Sequence, residues 1–386
     1  MADARAELFR HKDPYDTAGT EELFVAAMRE NAAYQYANCA EYRAVLDASG
    51  FSPDMLRTSE DLALLPFLPT AFLKTHRMFS MPAYRRLVTA TSSGTSGGGK
   101  SEVGLEFEAL LAGAGMVRRV FAPRHILSPV PCHYVIFGYP PERGNGMAAA
   151  KTAFGYTFLA PAVSRTYALR RKNGSYEADP ERVIRAILRQ ENSPFPTRFI
   201  GFPAYAWYTF RRMEEKGISV RLPRGSTVLL AGGWKQHYRE AAGKEEMYAL
   251  IDRVLGIPED SVIECYGAAE HPILYCDCPF HHFHVPIYAR VLIRDPGTLE
   301  PLPPGQGRMG LVNLLTPMIR ATPVLSVLTD DLGILHGEGC PCGIHSPWLE
   351  IAGRAGMGEI RTCAAGAEEI LGERWASPGA GTETAR

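Results

Sequence analysis

Between residues 86 and 270 the chain repeats one pattern: a short apolar run, a turn marked by glycine or proline, then an amphipathic stretch. Arg86–Ala90 (RLVTA) reads as a strand feeding a Gly/Ser loop, with a helix over Leu105–Phe121 after it. Tyr134–Gly138 (YVIFG) reads as a strand, Pro180–Gln190 as an amphipathic helix, and Phe199–Ile200 as a strand end before a helix over Ala204–Lys216. Thr227–Leu230 (TVLL) is a strand closing on Gly232–Gly233, Glu245–Leu255 a helix, and Ser261–Cys265 a strand closing on Tyr266–Gly267. Period-two runs alternating with period-3.6 runs build an α/β fold. In such sheets ligands gather at the carboxyl ends of strands. That singles out Ser92–Ser101, Gly232–Lys235 and Tyr266–Glu270.

The flanks differ in texture. Residues 1–80 read as helical, with apolar residues three and four apart over Thr20–Asp47, until Pro66 and Pro69 break the pattern. From about Pro286 the chain turns β-rich (IYARVLIRDP, GLVNLL, VLSVLTDDLGIL). The expected organisation is a helical segment over 1–80, an α/β core over 81–285, a β-rich subdomain over 286–354 and a short C-terminal remnant over 355–386. A chain of 386 residues suits such a composite.

A net charge of −1 and the lack of any basic run with interleaved aromatics argue against nucleic acid and anionic membrane surfaces as partners. The first residues, MADARAELFRHKDPYDT, carry no apolar signal core, and no run approaches the ~18 apolar residues of a membrane span. A cytoplasmic location is expected. There the eight cysteines point to metal ligation or thiol chemistry rather than disulfides.

Thr91–Ser101 (TSSGTSGGGKS) has the chemistry of a phosphate cradle. Its glycines let successive backbone N–H groups face one anion, its hydroxyls add donors and Lys100 adds charge. Gly94–Ser101 also satisfies the P-loop pattern, so a P-loop NTPase is a competing reading. No strand closing on a magnesium-binding Asp follows to support it.

Cys278, His284, Cys340 and Cys342 form a Cys3His set suited to a closed structural zinc site. Cys276, His281 and His282 compete for the same role. Phe199–Phe210 (FIGFPAYAWYTF) is rich enough in aromatics to line an acyl or aryl pocket, though such a face more often packs a core. Cys39, Cys132 and Cys265 read as core residues.

Ser93–Lys100 (SGTSGGGK) resembles the phosphate loop of the adenylate-forming superfamily, the acyl-CoA synthetases and their relatives. Four further motifs follow in that family's order: Ala231–Lys235 (AGGWK), Tyr266–Glu270 (YGAAE, with Ala269 for the usual Thr), Thr329–Leu332 (TDDL) and Gly353–Arg354. Within the superfamily the chain is most similar to the bioluminescence-type acyl-protein synthetases, through AGGWK, a Cys…His-x-Pro segment ending at Pro286, Ile293–Pro296, Cys340–Gly343 and Gly353–Cys363. Phenylacetate-CoA-ligase-like enzymes come next.

The resemblance implies ATP-dependent activation of a carboxylic acid, fatty or aromatic, as an acyl-adenylate, with transfer to a protein cysteine. It places Ser92, Ser93, Gly94, Thr95, Ser96, Gly97 and Lys100 on the phosphates and Glu270 on magnesium. Gly232, Gly233, Trp234, Tyr266 and Gly267 flank the adenine, Asp331 holds the ribose and Arg354 sits nearby. Cys363 is the implied acyl acceptor. Arg361 favours its thiolate, while the family's usual preceding glycine is Thr362 here. Residues 355–386 contain no lysine, so the family's lid with its catalytic lysine is expected to be reduced, leaving Lys100 or Lys235 to serve. An external thiol, amine or reductase as acyl acceptor, and a binding protein without turnover, remain alternatives.

Overall fold

The computed structural model describes residues 3–92, 99–142, 146–172, 175–232, 243–337 and 339–354. The chain opens with helices α1 (Ala4–Leu8), α2 (Glu21–Asn38) and α3 (Ala40–Ala48), then strand β1 (Leu68–Pro69) and the short helix α4 (Thr70–Thr75). Strands β2 (Val88–Thr91) and β3 (Glu102–Leu105) precede α5 (Phe107–Val120). A central run follows: β4 (Cys132–Phe137), α6 (Ala148–Tyr156), β5 (Ala162–Tyr167), the hairpin β6 (Leu169–Lys172) and β7 (Ser175–Ala178), α7 (Pro180–Gln190), β8 (Thr197–Gly201), α8 (Pro203–Glu215), β9 (Thr227–Ala231) and α9 (Lys244–Leu255). The chain then builds β10 (Val262–Ala268), β11 (His271–Cys276), β12 (Phe283–His284), β13 (Arg290–Arg294), β14 (Gly310–Leu315), β15 (Ser326–His336) and β16 (Trp348–Arg354).

The first sheet runs β11-β10-β9-β8-β4-β5, parallel except for β11. Its residues alternate between two cores, as period-two pleating requires. Val135, Phe137, Phe199, Val228, Leu230 and Val262 pack with α7, α8 and α9. Tyr134, Ile136, Ile200, Leu229 and Ile263 face the other core, shared with the N-terminal helices, α5 and the second sheet. β4 has β5 on one side and β8 on the other, so the winding direction reverses between β4 and β8. A crevice beyond the carboxyl ends of the strands is the expected ligand position there.

Local signals set these helices. Asp179 caps α7 by accepting from the Arg182 backbone N–H at 3.0 Å, and Pro180 supplies the first-turn φ without wasting a donor. Val183, Ile184, Ala186 and Ile187 then fall on one buried face. The aromatics Phe199 and Phe210 are fully buried and pack against Phe137, so these two are core. Cys39, Cys132 and Cys265 are buried as well.

The second sheet, β12-β16-β15-β14-β13, is antiparallel, with β1 pairing in parallel to the start of β15. A buried ion pair clasps the N-terminus to it: Arg5 Nη1 reaches Glu106 Oε1 at 2.6 Å and the Met318 carbonyl at 2.9 Å. Glu106 also accepts from the backbone N–H groups of Arg320 and Ala321, both at 3.0 Å.

Two expectations change. The Gly/Ser segment leads to a strand, not a helix: Val88–Thr91 pairs antiparallel with Glu102–Leu105, and α5 starts only at Phe107. A P-loop requires its Lys-Ser to open a helix, so this geometry argues against that reading. In addition, Tyr266 and Gly267 belong to β10, which runs on to Ala268. Among the described residues no helix is long and apolar enough to cross a membrane.

Candidate functional site

The Ala268↔His271 pair closes β10 onto β11 and leaves Ala269–Glu270 as the turn. His271 is fully buried beneath it, with a ring nitrogen 3.0 Å from the Tyr275 hydroxyl, and burial lowers its pKa to about 3. A neutral buried ring thus anchors the turn and directs Glu270 inward. The Glu270 carboxyl is buried and accepts from the Ser101 hydroxyl. Burial raises its pKa; the Ser101 bond and the Lys74 charge pull the other way. Ser101 is held in turn by Ser92: its N–H donates to the Ser92 hydroxyl at 3.1 Å, and the Ser92 N–H donates to its carbonyl at 3.2 Å.

A second constellation joins the two sheets. The Tyr266 hydroxyl in β10 donates to Asp331 Oδ2 in β15 at 2.9 Å. Arg354 Nε, opposite Asp331 across the β15–β16 ladder, donates to Oδ1 at 3.0 Å. Burial raises the Tyr266 pKa well above its ordinary value, and the Asp331 carboxylate adds to this, so the phenol stays a donor. The neighbouring Asp330 accepts from the Thr70 hydroxyl at the start of α4.

Gly232 ends β9 at φ +83, where a Cβ would stand 3.2 Å from the Phe202 ring. Lys100 is exposed. The structure therefore brings Ser92, Glu270, Tyr266, Asp331 and Arg354 into two bonded clusters. Ser93, Gly94, Thr95, Ser96, Gly97, Gly233, Trp234, Lys235 and Cys363 lie outside the described residues. Sequence reasoning did not single out Ser101 as the partner of Glu270. It missed Thr70 and Lys74, and gave Asp330, within TDDL, no role of its own.

The cysteine cluster is equally defined. One ligand atom from each of Cys278, His284, Cys340 and Cys342 lies within 4.8 Å of the others. Cys278 Sγ and Cys340 Sγ are 3.7 Å apart, and Cys342 Sγ is 3.2 Å from His284 Nε2. His284 Nδ1 faces the Ser346 carbonyl at 3.2 Å, which leaves Nε2 as the lone-pair nitrogen. Backbone N–H groups of Phe280 and Ile344 each point at a cysteine sulfur at 3.4 Å.

The competing ligands are turned to other tasks. Cys276 pairs across from Cys265 in the β10–β11 ladder. His281 meets the buried Asp277 at 2.6 Å and stacks on Tyr248. His282 touches Cys340 Sγ at 3.2 Å from the rim, its ring stacked on Trp348 at 3.7 Å. His336 stacks on Trp348 from the opposite side, also at 3.7 Å.

A family model for the acyl-protein synthetases, LuxE, matches residues 7–372. The chain belongs to this family. This LuxE-family chain is 25% identical over 311 residues to a long-chain-fatty-acid–luciferin-component ligase of Vibrio harveyi, covering 79% of this chain and 77% of that protein. It is 27% identical over 321 residues to a phenylacetate-coenzyme A ligase of Thermus thermophilus, covering 81% of this chain but 64% of that longer protein. Among solved structures, an open conformation of 2-hydroxyisobutyryl-CoA ligase in complex with 2-HIB-AMP and CoA shares the fold, with TM-score 0.66, 17% identity, and 89% of this chain and 76% of that chain covered. The fold is thus that of an adenylate-forming ligase.

Proposed function

We propose that this LuxE-family chain uses ATP to convert a fatty or aromatic carboxylic acid into an acyl-adenylate and passes the acyl group to a protein cysteine. The observation that carries the reading is the placement of Ser101–Glu270 beside Tyr266–Asp331–Arg354 at the carboxyl end of β10.

In the first step one carboxylate oxygen of the acid attacks the α-phosphorus. The new O–P bond forms as the bridge to the β-phosphate breaks, and pyrophosphate leaves. Catalysis of this kind is mostly positioning plus charge stabilisation. Glu270 is the acidic residue suited to hold a magnesium ion, which would neutralise phosphate charge when bound. Asp331 would accept from the ribose hydroxyls, with Arg354 and Tyr266 holding its two oxygens. Gly232, Gly233, Trp234, Tyr266 and Gly267 would flank the adenine, and Lys100, Lys235 and the Gly/Ser loop the phosphates. In the second step a thiolate attacks the acyl carbon; the C–S bond forms, the C–O bond to AMP breaks, and the thiol proton has gone to solvent. Cys363 is the proposed acceptor, with an acyl-accepting protein or a reductase as a downstream partner.

A structural zinc ion fits the Cys3His cluster. Tetrahedral Zn–S bonds of about 2.3 Å put sulfurs about 3.8 Å apart, and the Cys278–Cys340 separation is 3.7 Å. Cys278, His284, Cys340 and Cys342 would hold it, far from any role in proton or acyl transfer.

The test is product analysis with ATP, magnesium and a panel of carboxylic acids, with intact mass of the wild type and Cys363→Ala. Acid-dependent AMP and pyrophosphate with an acyl adduct on the wild type is the expected outcome. ADP, or turnover indifferent to acid, overturns the reading. An adduct that persists in Cys363→Ala moves the acceptor to another residue.

A further inference from the structure

α4 spans less than two turns, yet it meets Asp330, Gly99 and the surroundings of Glu270. Thr70, at its start, donates its hydroxyl to Asp330. Lys74, four residues later, lies on the same face of the helix. Lys74 is a half-buried residue whose charge favours the ionised Glu270 carboxylate against burial. The backbone makes a third contact: the Lys74 carbonyl stands 2.5 Å from where a Cβ on Gly99 would lie. Only glycine fits so close an approach, so residue 99 passes directly over the last turn of α4. Two residues further on, Ser101 donates to Glu270.

Three other lysines are committed elsewhere, while Lys100 is exposed. Lys172, Lys216 and Lys244 are ion-paired with Glu177, Glu181 and Glu264. No lysine follows Lys244 in this sequence. At the described site Glu270, Asp330 and Asp331 face Lys74 and Arg354. A magnesium ion at Glu270 would tip that balance positive, as a bound triphosphate demands.

We propose that Lys74 is a catalytic residue, its ammonium contacting the β- and γ-phosphates of ATP beside Glu270 and stabilising the departing pyrophosphate. This rests on the adenylation reading. The alternative is an ion pair that merely steadies the Glu270 turn. The two differ in what they do to ligands with and without β- and γ-phosphates. A phosphate contact discriminates ATP from AMP, whereas a steadying pair affects both nucleotides alike.

The experiment measures Mg-ATP and AMP binding by calorimetry for wild type, Lys74→Met and Lys74→Arg, with acid-dependent pyrophosphate exchange and melting temperature on the same samples. Lys74→Met is expected to weaken Mg-ATP by about tenfold or more and AMP by less than about twofold, with Lys74→Arg recovering part of the loss. Pyrophosphate exchange should fall at least as far as ATP binding. Equal effects on both nucleotides, or none, overturn the proposal. Should Lys74→Met not fold, Lys74→Arg and Lys74→Gln carry the same ATP-against-AMP comparison. If the wild type binds ATP without forming AMP, adenylation falls while the phosphate contact is still judged by that comparison. If it binds neither nucleotide, both fall together.

Discussion

The Ser101 hydroxyl donates to the Glu270 carboxylate, a bond between residues 169 apart in the chain. It fixes the β2–β3 hairpin to the β10–β11 turn. Tyr266 and Asp331 tie β10 to β15 in the same way. One acidic turn therefore sits where the β2–β3 hairpin and the two larger sheets meet.

Glu270→Gln should reduce acid-dependent AMP formation by about 100-fold or more, because the neutral amide is a poor magnesium ligand. Its effect on stability has a defined sign. Burial raises the Glu270 pKa above its unfolded value, so its contribution is present below about pH 4.3 and is lost as pH rises through the folded pKa. Melting curves without magnesium or nucleotide should show Glu270→Gln gaining on the wild type as pH rises from the ordinary carboxylate range through the raised folded pKa. A constant difference across that range would contradict the buried-acid account.

Asp331→Ala leaves the Tyr266 hydroxyl and Arg354 without their shared acceptor. The cost to ATP affinity should be about 1–3 kcal/mol, roughly five- to 150-fold. A 2′,3′-dideoxy analogue of ATP should bind the variant and the wild type nearly equally, since the ribose contact is already gone. A full Asp331→Ala penalty against that analogue would remove Asp331 from the ribose site.

Protein purified without chelator should carry about one zinc per chain. Cys340→Ser should lose it and melt at a lower temperature, and a strong chelator should do the same to the wild type. Fewer than about 0.3 equivalents of any transition metal in freshly isolated protein would leave the cluster as unligated thiols.

Arg5→Ala tests the N-terminal clasp. Arg5 and Glu106 form a buried pair with side-chain exposures of 6% and 2%. Removing one partner of such a pair typically costs about 3–5 kcal/mol. Denaturant unfolding should show a loss in that range, while Arg5→Lys retains part of it.

Several elements were legible because their signals are local. α7 starts at Pro180 and ends at Gln190 as read, since its cap, first-turn proline and apolar face all lie within the segment. The strand ends near Phe137 and Ala231 were legible from apolar runs meeting glycine, whereas β10 runs past the expected end at Cys265 to Ala268. The β2–β3 hairpin was not, because β3 is four residues long and merges into the amphipathic start of α5. The Cys3His cluster was legible from residue type and spacing, whereas discarding Cys276 and His281 required their partners, Cys265 and Asp277. Lys74 had no signature. Its significance lies in Gly99, Asp330 and Glu270, none of which is near it in sequence.

Trp348 lies between the rings of His282 and His336, each centroid 3.7 Å away and each ring nearly parallel to the indole, and His282 itself touches Cys340. An indole so sandwiched is an optical reporter. Its emission should respond to protonation of either imidazole and to any rearrangement of the cysteine knuckle, so the state of that cluster can be followed by light without attaching a label.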